Sequence, residues 1–242
     1  MFDLGVTWWP EVAAGPRRVL VVPLGSLEQH GPHLPMDTDT RIAAAVAARA
    51  CAGRPGVGLA PPVAIGASGE HAGFPGTLSI GTGALTLLLA ELGRHASRHW
   101  PAMLLVNGHG GNAPAVAAAT AQLAAEGRDA RAWHAGLSPR RLAAAGLGSA
   151  QPAGDAHAGR FETSLLLALA PDLVRLAAAA AGDTRPIAQL MPRLRAEGVR
   201  AVSANGVLGD PAGASAAEGA RLLAALAASL GEALDAIAGE PG

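Results

Sequence analysis

The sequence predicts a three-layer α/β/α fold in which a mostly parallel central sheet lies between helices. Short apolar runs lack the polar alternation of a half-exposed strand, which is typical of strands buried on both faces of a parallel sheet. Segments of helical length and periodicity separate these runs, and this alternation of strand and helix indicates an α/β domain. The predicted strands are segments 17–24, 57–65 and 102–107, with a further one at 128–133.

The helices predicted between the strands are rich in alanine and of ordinary length. Their patterns run over 40–51, 84–100, 113–127, 162–170 and 215–237. Pro101 ends the second of them, because proline cannot continue a helix. No shift in composition marks a domain boundary, so we expect one domain over residues 1–242. Segments 1–16 and 136–153 carry no clear pattern.

The composition excludes several classes of site. All 18 basic residues are arginine, and the chain has no tyrosine. The missing lysine excludes a Walker-type phosphate loop, a Schiff-base lysine and a Ser-Lys dyad. A formal net charge of −1 without a basic stripe argues against nucleic acid as a partner. Cys51 is the single cysteine, so a bound metal would be held by histidine nitrogens and carboxylate oxygens.

Neither a signal peptide nor a membrane span is evident. The first 15 residues lack a basic region and a long apolar stretch. The most apolar segment, 165–182, is interrupted by Pro171, Asp172 and Arg175, so it is too broken to cross a hydrocarbon core of ~30 Å. We therefore expect a cytoplasmic location and no membrane partner.

The first cluster of reactive side chains follows the first predicted strand, in GSLEQHGPHLPMDTDT at 25–40. If the chain continues extended, Glu28 and His30 point to the same side. Asp39 follows where the next helix begins. One histidine and two carboxylates form a site suited to Zn, Mn or Fe. Asp39 is equally well suited to cap that helix, so the motif alone leaves both roles open.

The second cluster is NGHGGN at 107–112, again between a strand and a helix. A glycine-rich turn that opens a helix can bind phosphate. The absence of lysine and the central position of His109 favour a metal ligand instead. Both clusters then lie at the carboxyl ends of strands, where open α/β sheets place their ligands.

Two further clusters combine a histidine with an acid. His157 and Glu162 lie in GDAHAGRFETS at 154–164, where Glu162 is also a favourable first-turn acid of the following helix. Glu70 and His71 lie in the loop GASGEHAGFPGTLSIG at 66–81, where a structural role and a substrate role are equally plausible.

These motifs, in this order, resemble the creatininase family of metal-dependent amidohydrolases. The motifs are GSLEQHGPHLPMDTDTRIA, EHAGFPGTLSIG, NGHGGN and HAGRFETS, and the likeness runs from Val19 to Gly219. Within the family the chain is most similar to members of the mycofactocin system, because of GASGEH, FPGTLSIG and the late AVSANGVLGDPAGASAAEG. The resemblance implies a creatininase-like α/β/α fold and a homo-oligomer, often a hexamer.

The resemblance also implies two divalent metal ions (Zn, Fe or Mn) that share one bridging aspartate. Glu28, Asp39 and His109 would hold one ion. His30, Asp39 and a further acid would hold the other.

One position departs from the pattern of creatininase itself. There the further acid lies two residues after the loop histidine, where this chain has Gly111. Glu162 is the acid expected to replace it.

For mycofactocin-system members the implied reaction is hydrolysis of a modified ribosomal precursor peptide near its C-terminus, which releases the modified Val-Tyr unit. His157 would pass a proton to the leaving amine, since an imidazole titrates near neutrality, and Glu162 would assist it. Glu70 and His71 would bind substrate. Two other functions stay open: hydrolysis of a small cyclic amide or formamide, and a non-catalytic, metal-stabilised scaffold that binds peptide.

Overall fold

Five parallel strands form the central sheet of the computed structural model, which describes residues 1–148 and 154–239. Their order in the sheet is β1-β3-β2-β4-β5. The chain adds β3 on one side of β2 and then returns to add β4 on the other, so the direction of winding reverses between β2 and β4. The strands are β1 (Phe2–Asp3), β2 (Val19–Leu24), β3 (Val57–Leu59), β4 (Ala102–Asn107) and β5 (Asp129–His134).

Helices cover both faces of this sheet. The α-helices are α1 (Trp9–Ala14), α2 (Thr38–Cys51), α3 (Gly81–Ala96), α4 (Ala113–Ala125), α5 (Pro139–Ala144), α6 (Arg160–Leu169), α7 (Ile187–Glu197), α8 (Val199–Val202) and α9 (Ala216–Gly239). Short 3₁₀ helices lie at Gly69–His71, Gly110–Asn112, Pro171–Leu173 and Leu176–Ala178.

The central strands explain the three layers. All six residues of β2 and all six of β4 are buried, and their side chains alternate between two hydrophobic cores. Val21 and Leu104 point into the core formed with α2, α6 and α9, whereas Leu20 and Leu105 point into the core formed with α3 and α4. The predicted three-layer α/β/α fold is therefore confirmed.

The strand expected within segment 57–65 covers only Val57–Leu59, because Pro61 and Pro62 cannot donate to a strand ladder, and Val63 forms an isolated bridge to Leu24. Helix α7 was missed because Pro192 lies inside it. The unpatterned stretch 136–153 contains α5, and its residues 149–153 lie outside the described residues.

Within the described parts of the chain, no helix is both long and apolar enough to span a membrane.

Candidate metal centre

The loops that follow β2 and β4 meet at the carboxyl edge of the sheet, where the winding direction reverses. Such crevices are the usual ligand sites of open α/β sheets. The loop after β2 carries Glu28 and His30, and the loop after β4 carries His109. All three side chains are buried, with exposures of 0%, 0% and 6%. The two sequence clusters therefore form one site.

Glu28 and His30 lie in the loop after β2, and their side chains point into the same centre. Strand β2 ends at Leu24, and the following loop turns, with an isolated bridge between His30 and Leu34. The ring Nδ1 of His30 lies 3.1 Å from the carbonyl oxygen of Glu28. The turn thus still directs both side chains to the centre.

Asp39 lies within the first turn of α2 rather than before it. The residue before the helix is Asp37, whose side chain makes no capping hydrogen bond. Asp39 Oδ2 instead accepts a hydrogen bond of 2.5 Å from the Ser26 hydroxyl. Its Oδ1 lies 3.1 Å from His30 Nε2, and its Oδ2 lies 3.3 Å from His109 Nδ1. The capping role is excluded, and Asp39 lies between the two histidines.

Glu28 and Glu162 each lie beside a different histidine of the centre. Glu28 Oε2 lies 3.1 Å from His109 Nε2. Glu162 comes from the first turn of α6, and its Oε2 lies 4.0 Å from His30 Nε2. That oxygen also accepts a hydrogen bond of 2.6 Å from the backbone N–H of Ala158.

Two more histidines, His157 and His71, lie beside Glu28. His157 Nδ1 lies 3.7 Å from Glu28 Oε1, and His71 Nε2 lies 3.2 Å from the same oxygen. The His157 ring centroid lies 4.3 Å from that of His30 and 4.6 Å from that of His71. The structure therefore brings together every residue that the motifs singled out.

The carboxylates of this centre stabilise the protonated, positively charged forms of His30 and His109. Burial lowers the pKa of His30, but the negative charges of Asp39, Glu162 and Glu28 outweigh it and raise that pKa to about 10. Burial likewise opposes protonation of His109, yet Glu28 and Asp39 raise its pKa well above the usual value.

The pKa values of His157 and Glu162 shift in favour of their neutral forms. Burial, with His30 and His71 nearby, lowers the pKa of His157 well below the usual value. Burial raises the pKa of Glu162 to about 7, although the positive charge of His30 opposes that shift. His157 is therefore a neutral imidazole at physiological pH, as a proton acceptor must be.

The donor set fits divalent metal ions. Among the described residues, three groups of donor atoms lie within 4.8 Å of one another: Glu28 with His30 and His157; Glu28 with Asp39 and His109; and His30 with Asp39 and Glu162. Two ligands of one tetrahedral metal ion lie about 3.4 Å apart, close to the separations found here. Both oxygens of Glu28 are buried and accept no hydrogen bond from the described residues, although His109 and His71 lie within 3.2 Å of them, and a bound cation would compensate that buried charge.

Comparison with known proteins agrees with this chemistry. A family model described as creatinine amidohydrolase matches residues 7–234. The chain belongs to the creatininase family. A solved structure titled "Creatininase Mn" is 28% identical, covers 98% of this chain and 99% of its own, and superposes with a TM-score of 0.79.

Curated relatives within the creatininase family differ in their names. A Mycolicibacterium smegmatis protein named mycofactocin precursor peptide peptidase is 55% identical over 212 residues, 85% of this chain and 80% of that protein. A Pseudomonas putida protein named creatinine amidohydrolase is 34% identical over 203 residues, 72% of this chain and 74% of that protein. Both names describe hydrolases of C–N bonds.

This member of the creatininase family has an unexpected acid beside Gly111. A Cβ atom at Gly111 would lie 2.2 Å from Glu70 Oε1 and 2.4 Å from His109 Nε2. Glu70 Oε1 itself lies 3.4 Å from His109 Nε2. Burial raises the pKa of Glu70, but the contact with His109 outweighs it and lowers that pKa overall. The acid nearest to Gly111 is thus Glu70, whereas Glu162 lies on the other side, beside His30.

The motifs did not single out every buried polar residue around the centre. Ser26 and Gln29 were missed, although both lie within the first motif and both are buried. His33 is buried and its Nε2 lies 2.9 Å from Thr163 Oγ1, so it ties the first loop to α6. His95, on α3, is exposed and takes no part in the site.

Proposed function

We propose that the chain is a metal-dependent peptidase that cleaves the modified mycofactocin precursor peptide near its C-terminus and releases the modified Val-Tyr unit. The observation that carries this function is the buried ring of carboxylates and imidazoles around Asp39, in a chain 55% identical to a protein of that name. Metal-assisted hydrolysis needs no serine or cysteine nucleophile.

Two divalent metal ions would occupy the centre. Glu28, Asp39 and His109 would hold one ion, and His30, Asp39 and Glu162 the other, so that Asp39 bridges them. Two of the three groups of donor atoms found among the described residues support this arrangement, because Asp39 is the one residue that those two groups share. Zn, Mn and Fe all suit histidine and carboxylate ligands. When bound, such ions polarise an amide carbonyl and lower the pKa of water toward neutrality.

The protein's own groups would handle the proton and the substrate. His157 Nδ1 would take a proton from the attacking water and then pass it to the leaving amine, because its imidazole is neutral and its Nδ1 lone pair faces the centre. Burial raises the pKa of Glu162 to about 7 in the metal-free site. As a ligand of the second ion Glu162 would be ionised, and it would assist His157 from that position. Glu70, which keeps 32% of its side chain exposed, would contact the substrate at the mouth of the site.

The direct test incubates the modified precursor peptide with the metal-loaded chain and analyses the products by mass spectrometry. We expect a new fragment that corresponds to the modified C-terminal unit and its complementary leader. Chelation of the metal should stop cleavage and restored metal should recover it. An intact peptide after long incubation would overturn the proposal.

Hydrolysis of a small cyclic amide or formamide is the second candidate, supported by the 34% identity to a creatinine amidohydrolase. The absence of an acid at position 111, where this chain has glycine, argues against creatinine itself. Creatinine and formamides added in place of the peptide test this candidate. A non-catalytic scaffold, the third candidate, would cleave none of them, yet Glu28→Ala would still release its metal.

The proposal includes a cytoplasmic homo-oligomer, up to a hexamer. Light scattering behind size-exclusion chromatography measures the assembly, and the mass of a single chain would contradict it.

A further inference from the structure

Gln29 lies between Glu28 and His30 in the chain, and its side-chain Nε2 contacts two buried histidines, His71 at 2.9 Å and His157 at 3.1 Å. Gln29 is 7% exposed. Its Oε1 accepts a hydrogen bond of 2.8 Å from the backbone N–H of Gly31. Its Nε2 donates to the carbonyl oxygen of Gly206 at 3.1 Å. An N–H can pair only with Oε1 and a carbonyl only with Nε2, so these two backbone partners fix the orientation of the amide.

The fixed amide determines where His71 carries its proton. Gln29 Nε2 lies 2.9 Å from His71 Nδ1. Because Nε2 of an amide is a donor only, His71 Nδ1 must accept, and the ring must carry its hydrogen on Nε2. That Nε2 lies 3.2 Å from Glu28 Oε1, at the centre of the site. Since neither Glu28 oxygen accepts a hydrogen bond, the His71 N–H is available to another acceptor there.

The backbone of Gln29 has the complementary effect on His157. His157 Nε2 lies 2.8 Å from the carbonyl oxygen of Gln29. A carbonyl can only accept, so His157 also carries its hydrogen on Nε2 and leaves the lone pair of Nδ1 toward Glu28. One residue thus gives the two histidines opposite functions: His71 presents an N–H to the centre, and His157 presents a lone pair.

We propose that Gln29 is a positioning residue that keeps the hydrogen of His71 on Nε2, as an N–H donor for the carbonyl oxygen of the scissile amide. The kinetic part of this inference rests on the proposed hydrolytic function. A donor fixed before the reaction stabilises negative charge on that oxygen as the amide is attacked, without reorganisation.

Neutron diffraction from deuterium-exchanged crystals of the zinc-loaded protein observes the protons directly. We expect deuterium on Nε2 and none on Nδ1 in both His71 and His157. Deuterium on Nδ1 of His71 would overturn the inference whether or not the protein cleaves the peptide. Conversely, an intact precursor peptide would refute the proposed function and leave the diffraction result valid.

Kinetics of Gln29→Met test the consequence, since methionine has a similar length and no N–H to donate. We expect kcat to fall about 10²-fold with little change in KM, as for loss of one oxyanion donor. Gln122→Met, on the exposed face of α4, is the matched control and should retain wild-type kinetics. An unchanged kcat in Gln29→Met would overturn the inference.

A double variant separates positioning from a structural role. In His71→Gln the side-chain amide of glutamine supplies the N–H. An amide has no ring tautomers, so this N–H does not depend on Gln29. Adding Gln29→Met to that background should lower kcat by less than about threefold, because coupled residues lose their effect together. An equal loss in both backgrounds would show that Gln29 acts only on the stability of the loop, and would overturn the inference.

Discussion

Gly111→Ala should disable the metal centre, whereas the same change one residue earlier should not. A Cβ at Gly111 would lie 2.2 Å from Glu70 Oε1, 2.4 Å from His109 Nε2 and 2.5 Å from the Ala67 carbonyl oxygen. These separations are about 1 Å short of ordinary contact, and the Ala67 oxygen belongs to the backbone and cannot swing away. His109 or Glu70 must therefore move. A Cβ at Gly110 would meet nothing within 4 Å, so Gly110→Ala is the control.

The expected cost of Gly111→Ala follows from that displacement. A ligand moved by ~1 Å lowers turnover about 10²-fold. Overpacking at a buried site lowers the free energy of unfolding by about 1–3 kcal/mol. Metal content after dialysis, peptide cleavage and thermal unfolding measure the three effects in both variants. If Gly111→Ala keeps metal and turnover as well as Gly110→Ala does, the steric account of this loop is refuted.

Three further predictions address the second metal, an ion pair and the core. Glu162→Gln should reduce the bound metal from two ions per chain to one, which elemental mass spectrometry measures. Two retained ions would contradict the role of Glu162 as a ligand. Burial raises the pKa of Glu218, but the hydrogen bonds that Arg160 donates to it outweigh burial and lower that pKa overall. The ion pair therefore stabilises the fold fully above the unfolded-state pKa of about 4.3, and this contribution is lost as the pH falls through the pKa of Glu218 in the folded state. Arg160→Gln should therefore cost about 1–3 kcal/mol in urea unfolding at neutral pH and progressively less below about pH 4, whereas a constant cost would contradict the linkage. Leu226→Ala, at a fully buried position of α9, should cost about 2–5 kcal/mol, while Leu87→Ala, 61% exposed, should stay within about 0.5 kcal/mol; equal costs would contradict the assigned core.

The sheet was predictable because its central strands need apolar residues on both faces. Val19–Leu24 and Ala102–Asn107 have no polar residue before their last positions, and the structure buries both strands entirely. Helix α9 was predictable from its long periodic pattern. Helix α7 was not, because an internal Pro192 removes one backbone donor, and burial of Leu190 and Leu194 compensates through contacts that only the folded chain reveals.

The candidate ligands were predictable from the residue types at the strand ends, but their exact partners were not. A sequence motif does not show that Glu70 enters the space left by Gly111, because 41 positions separate them in the chain. Gln29 was hidden for a different reason. Its neighbours Glu28 and His30 account for the chemistry of the motif, while the function of its amide depends on the backbone atoms of Gly31 and Gly206.

Anomalous diffraction from crystals of the metal-loaded protein tests the two-ion centre most directly. We expect two peaks on either side of Asp39, one beside Glu28 and His109 and the other beside His30 and Glu162. A single peak, or a second peak without Glu162 among its ligands, would contradict the account.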